Sequence, residues 1–205
     1  MNTLKLIRYA AWAAIAALAV LSAIVLVAPR GADKVLSGAG ATVGGPFTLA
    51  SATGGSVDSA TLKGKPYAVF FGFTQCPDIC PTTMYEMTQN LKALDAKAGS
   101  AAKDFRVYFI TVDPERDDAS LLKDYLSAFD PRIVGLIPKD QDELARIAKS
   151  FRIYYKKVPQ PGGGYTMDHS AAVLLYDKNG DWAGTVDTQE SDSAREAKLE
   201  RLLKG

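Results

Sequence analysis

The chain has 205 residues, 47% hydrophobic and 23% charged, and its 24 Lys and Arg set against 23 Asp and Glu leave a formal net charge of +1. A near-neutral chain without a basic stripe argues against nucleic acid as the main partner. Two cysteines and one histidine are too few for a disulfide-rich miniprotein or a four-cysteine zinc module, and 17 Gly and 10 Pro without a period exclude collagen and coiled coil.

The apolar excess sits at the front. Residues 9–28, YAAWAAIAALAVLSAIVLVA, carry no charge and follow Lys5 and Arg8. At about 1.5 Å per residue, a helix of that length matches a hydrocarbon core of roughly 30 Å. A cleavable signal peptide has an apolar core of only about 7–15 residues with a small-x-small site close behind it. Here the run is longer, and Ala39-Gly40-Ala41 lies well downstream, so an uncleaved transmembrane anchor is expected over 9–28. The positive charge ahead of the span leaves residues 1–8 as a cytoplasmic tail and places the rest outside the cytoplasm. Anchor and signal peptide alike export the body to a compartment where thiols meet oxidant. Residues 29–46, with GAGATVGG, are expected to be a flexible tether, and residues 47–205 the body.

In the body, strand and helix signals alternate. A first short strand or hairpin is expected around Phe47. Residues 67–73 (YAVFFGF) form a near-continuous apolar run typical of a buried strand. Met84, Met87, Leu91 and Leu94 recur at helical spacing over 81–97, with Pro81 expected at the first helical position and Cys80 as N-cap. A strand follows at 105–112 and a helix at 121–129, opened by Asp117 and Asp118. The run Asp140-Gln-Asp-Glu143 resembles a capping box for a helix reaching Ser150. Residues 153–158, 171–176 and 182–186 read as strands, the last two joined by the turn Asp177-Lys-Asn-Gly180, and 194–203 as a closing helix. The pattern predicts an α/β fold of three layers with a mixed sheet.

Cys76 and Cys80 lie between the first core strand and the first long helix, where backbone N–H groups and the helix dipole favour a thiolate. A structural disulfide there would close a tiny loop and remove little unfolded-state entropy. A redox pair and a metal clamp are the functional alternatives. Three residues rather than two separate the cysteines, unlike the C-x-x-C of thioredoxin-type oxidoreductases. The single histidine, His169, sits where the Gly-rich segment 162–164 leads into a strand. Two thiolates and one imidazole form a soft set of low coordination number, better suited to copper, above all Cu(I), than to zinc. Asp168 is a candidate to orient the imidazole from outside, and Met167 is expected to pack in the core. Asp113-Pro-Glu-Arg-Asp117 reads as a strand end, a turn and a helix cap, with Asp113 and Asp117 candidates to lie near the cysteine loop or to face a partner.

Together Cys76-Pro-Asp-Ile-Cys80-Pro81, Asp113-Pro-Glu-Arg-Asp117 and Asp168-His-Ser170, in this order and at these separations, resemble the SCO/SenC family of copper chaperones from about Phe47 to the C-terminus. The resemblance implies a thioredoxin-like domain that binds one copper ion, as Cu(I) and also as Cu(II), through Cys76, Cys80 and His169. It also implies a redox-active disulfide between the two cysteines. The implied partner is subunit II of cytochrome c oxidase or a related copper oxidase subunit, with another periplasmic copper carrier or a thiol reductase in support. The implied setting is the bacterial inner membrane, single-pass, with the C-terminal domain in the periplasm. The main rival is a thiol–disulfide oxidoreductase that reduces the target's cysteines. A peroxidase-like enzyme is a second rival, but no arginine adjoins either cysteine in sequence.

Overall fold

The computed structural model of the protein describes Trp12, Ala13 and residues 43–205. Apart from Trp12 and Ala13, the anchor expected over residues 9–28 lies outside the described residues, and among those described no helix is long and apolar enough to cross a membrane. Thr42–Gly205 forms one compact unit. Its first described residues, expected as the end of the tether, lie against the body, where the Gly44 N–H donates to the Ser150 carbonyl at 2.8 Å.

The centre of the body is strand β3 (Tyr67–Gly72), every residue of which is buried, as its unbroken apolar run requires. It pairs in parallel with β4 (Arg106–Thr111), Phe70 facing Phe109, and β4 pairs in parallel with β5 (Ile133–Ile137). On its other edge β3 meets the antiparallel β8 (Val173–Tyr176), followed by β9 (Trp182–Val186). The hairpin of β1 (Thr48–Ser51) and β2 (Ser56–Asp58) extends the sheet beyond β5, giving the order β2-β1-β5-β4-β3-β8-β9. Strands β6 (Tyr155–Pro159) and β7 (Tyr165–His169) form a separate two-stranded ribbon.

Five α-helices are described besides the sheet: α1 (Ile79–Ala98), the short α2 (Ser100–Asp104), α3 (Ala119–Leu126), α4 (Gln141–Phe151) and α5 (Asp192–Lys204). Side chains alternate across a strand, so neighbouring residues of β3 report on opposite faces. Phe70 packs on Phe109, and Phe109 on Tyr125 of α3, at 5.6 and 5.9 Å. The Asp130 N–H after α3 donates to Thr88 of α1, and Arg195 of α5 reaches Glu86 of α1 at 3.3 Å. These three helices therefore share one face. Phe71 looks the other way and meets Phe151 of α4 at 5.5 Å, with Tyr176 on the same ring at 5.7 Å. The expected three-layer α/β arrangement with a mixed sheet results.

Three local differences from expectation bear on the site. Helix α1 starts at Ile79 with Asp78 as N-cap, so Cys80 and Pro81 lie inside the first turn. Proline is tolerated there because first-turn N–H groups have no intrahelical acceptor. Strand β5 was not expected: Gly135 interrupts its apolar run, and an added Cβ there would lie 2.8 Å from Leu122, so close helix packing demands the glycine. His169 is not in a loop but closes β7, opposite Tyr155.

Candidate metal centre

Where β3 ends, the chain must turn sharply into the cysteine loop. Gly72 at that end lets the rings pack closely, since an added Cβ would sit 2.7 Å from the Phe70 ring and 2.8 Å from Phe109. The loop then carries Cys76 to the head of α1. The first-turn N–H of Cys80 donates to the Cys76 sulfur at 3.3 Å, so this sulfur serves the helix end as a side-chain cap would. Asp78 itself makes no capping hydrogen bond.

The Cys80 sulfur lies 3.4 Å from Nε2 of His169. Nδ1 of the same ring lies 2.9 Å from the Ser170 carbonyl oxygen. A carbonyl oxygen can only accept, so Nδ1 carries a proton and Nε2 is the ring nitrogen that faces the cysteines. The rings of Phe70 and Phe73 meet the imidazole edge-on at 6.1 and 5.8 Å and fix its plane. The ligating atoms of Cys76, Cys80 and His169 all lie within 4.8 Å of one another.

Both cysteines are free thiols. The Cys76 thiol is pushed down to about 4, first by its hydrogen bond with the Cys80 side chain and then, against burial, by the His169 ring and the N–H groups of Asp78 and Cys80. The same hydrogen bond, together with burial, pushes Cys80 up. The pair rests as one thiolate and one thiol sharing a proton. Cys76 keeps 9% of its surface exposed and Cys80 none, so the thiolate is also the reachable sulfur. Burial pushes the Tyr125 phenol up as well. Its buried hydroxyl has no hydrogen-bond partner among the described residues.

The donor set fits a soft, low-coordinate cation. Two sulfurs and one imidazole converge, and among the described residues the group contains no fourth His, Cys, Asp or Glu. Such a set would hold copper as cargo, the two sulfurs supplying negative charge and Nε2 a third, neutral donor.

The segment 113–117 proves to be a strap between the parts that carry the donors. Asp117, fully buried, accepts the Thr74 N–H at 3.0 Å and the hydroxyls of Thr74 and Thr111 at 2.6 Å each. Burial pushes its carboxyl up while these three donors oppose the shift. Asp113, also fully buried, pairs with Arg116 and accepts the Tyr165 hydroxyl at 2.9 Å. Neither carboxylate is open to a partner. Asp118, not Asp117, caps α3 through the Leu121 N–H. Glu115 reaches Lys157 of β6 at 2.5 Å.

Asp168 is exposed and stands on the face of β7 opposite Met167 and His169, with Lys156 as its register partner. It does not orient the imidazole; the Ser170 carbonyl does. Met167 is buried in the core. Thr74, Thr111, Arg116 and Tyr165 were not singled out from the sequence, because their roles arise from contacts between residues far apart in the chain.

A family model described as SCO1/SenC matches residues 37–204. A SCO2-like protein of Rickettsia felis is 36% identical over 140 residues, 67% of this chain and 66% of that protein. The structure of Bradyrhizobium japonicum ScoI with copper bound is 42% identical, covers 78% of this chain and 99% of that one, and superposes with a TM-score of 0.70. Yeast Sco1 with copper bound is 34% identical over 80% and 90% of the two chains, with a TM-score of 0.72. The matched region makes up between 39% and 66% of the length of curated relatives from plant, yeast and Rickettsia. The α/β body is of the thioredoxin-like kind that these structures share.

Proposed function

The chain belongs to the SCO1/SenC family, and from that premise we propose that it is a copper carrier for the assembly of a respiratory oxidase, holding one ion through Cys76, Cys80 and His169. The observation that carries the reading is Nε2 of His169, its Nδ1 engaged by the Ser170 carbonyl, held 3.4 Å from the Cys80 sulfur. A dithiol built only for disulfide exchange has no need of an imidazole nitrogen aimed at its buried sulfur. The Bradyrhizobium and yeast proteins that the chain resembles bind copper at the level of fold and sequence similarity described above.

Each residue has a distinct task in this reading. Cys76 supplies the standing thiolate at the surface, Cys80 gives up its proton when copper enters, and His169 completes the set without adding charge. An acceptor's thiolate meets the Cys76 side first, since Cys80 has no exposed surface. The inferred acceptor is the dinuclear copper centre of cytochrome c oxidase subunit II. Residues 9–28 are proposed to anchor the chain in a bacterial inner membrane with the body in the periplasm.

The low-lying Cys76 thiol also supports a second reading, in which the pair reduces the acceptor's cysteines. Redox gating tests the first. Reduced protein is expected to bind one copper ion per chain, to lose that binding when the cysteines are oxidised to a disulfide, and to regain it on mild reduction. Oxidised protein that binds copper as tightly as reduced protein would remove the cysteines from the ligand set and overturn the proposal.

A further inference from the structure

The ribbon that carries His169 makes no ladder hydrogen bonds with the seven-stranded sheet that leads into the cysteine loop. Besides the three residues that join His169 to β8, side-chain contacts must therefore set where the imidazole sits relative to the sulfurs. We propose that Arg116 is the positioning residue that does so, by holding both ligand-bearing segments with a single guanidinium.

Nη1 of Arg116 donates to Oε1 of Gln75, the residue before Cys76, at 3.0 Å. The same nitrogen donates to the Tyr165 carbonyl, four residues before His169 on β7, at 2.9 Å. Nε pairs with the fully buried Asp113, which fixes the fork from behind. The guanidinium carbon lies 3.8 Å from the centroid of the Tyr165 ring, and the Tyr165 hydroxyl returns to Asp113 at 2.9 Å. Arg116 is thus held by Asp113 from its own segment and by the Tyr165 ring and carbonyl from the strand.

Other ties between ribbon and body are weaker or less directional. Lys157 and Glu115 form an exposed pair, and such pairs contribute little. Met167 and the rings around His169 contribute packing, which resists separation more than sliding. The Arg116 fork is directional in both segments at once. A lysine, with one point charge and no planar fork, cannot repeat the arrangement.

The inference rests on the copper reading for its purpose, but its test has a readout free of copper. His169 is the chain's single histidine, so carbethoxylation by diethyl pyrocarbonate, read as the ultraviolet absorbance of N-carbethoxyhistidine, reports on this imidazole although the reagent also acylates thiolates and amines. In reduced, metal-free protein, Arg116→Lys is expected to speed that modification while the fold, followed by circular dichroism, is retained. In copper-loaded protein the same variant is expected to weaken Cu(I) affinity by about 10–100-fold, the usual scale for a residue that orients a ligand from outside. Its Cu(II) spectrum should lose nitrogen hyperfine structure from the imidazole. Gln75→Ala, which removes only the bond beside Cys76, should move all three readouts in the same direction by less, and should add little to Arg116→Lys in the double variant. Should Arg116→Lys fail to fold, Gln75→Ala alone decides. Wild-type protein that binds no Cu(I), with His169 still unshielded by the variants, would end the copper reading and leave this inference standing. Variants that bind Cu(I) like the wild type and keep His169 as protected would overturn it.

Discussion

The Cys80 sulfur and the His169 Nε2 atom stand 3.4 Å apart although 89 positions separate the residues in the chain. That closeness joins the head of α1 to the end of β7. It depends on Ser170, whose carbonyl accepts the Nδ1–H hydrogen bond and so turns Nε2 inward.

Replacing His169 by Ala is expected to weaken Cu(I) binding while leaving Cys76 and Cys80 able to form and exchange a disulfide. Two sulfurs alone leave the ion open to competing ligands, whereas the disulfide needs only the sulfurs. Chelator competition measures the first effect, and thiol trapping after exposure to an oxidised dithiol measures the second. Loss of both together would show that His169 holds the loop rather than the metal.

Alkylation should separate the two cysteines by pH. With its thiol near 4, Cys76 is ionised throughout the neutral range, so its reaction with iodoacetamide should be nearly flat between about pH 6 and 8, whereas a free thiol with a pKa of about 8.5 would gain almost tenfold per pH unit. Cys80 should resist the reagent in folded protein, being buried and protonated. A rate at Cys76 that climbs with pH like that of a free thiol would contradict the shared-proton arrangement.

The same pair gives the metal-free protein a pH optimum of stability. The folded value of Cys76 lies below its unfolded one, so its contribution is complete above the unfolded value and is lost as pH falls towards 4. The raised value of Cys80 acts oppositely, its contribution being present below the unfolded value and lost as pH rises beyond it. Urea unfolding midpoints should peak near the free-thiol pKa of about 8.5 and fall on both sides, and the peak should flatten in a Cys76→Ser/Cys80→Ser double variant.

Buried Asp117 satisfies three donors with no cation beside it. Asp117→Ala strands the Thr74 N–H and two hydroxyls and is expected to cost about 2–4 kcal/mol in urea unfolding. Asp117→Asn should cost less, since it removes a buried charge, keeps one acceptor oxygen, and the threonine hydroxyls can rotate to accept from its amide. Equal losses for the two variants would mean that the carboxylate charge itself is needed.

Much of this was legible in the residues. The apolar run of β3, the helical spacing of Met84, Met87, Leu91 and Leu94, and the Asp140 cap each rest on local rules, and each element is present, the long helix starting two residues earlier than its proline suggested. Cys76, Cys80 and His169 were legible as a soft donor set because no other Cys or His competes. Strand β5 was not, because Gly135 answers to Leu122 of another element rather than to its own neighbours. Nor was the strap: Asp117 as partner of Thr74 and Arg116 as partner of Gln75 and Tyr165 span more than forty positions each. Asp168, adjacent to His169 in sequence, was drawn into the site by proximity alone, and strand alternation turns it away.

The most direct test is X-ray absorption at the copper edge of the reduced protein loaded with Cu(I). One copper per chain with two sulfur scatterers and one nitrogen, the nitrogen vanishing in His169→Ala, is the predicted result. A site built of sulfur alone, or one whose spectrum is unchanged in His169→Ala, would contradict it.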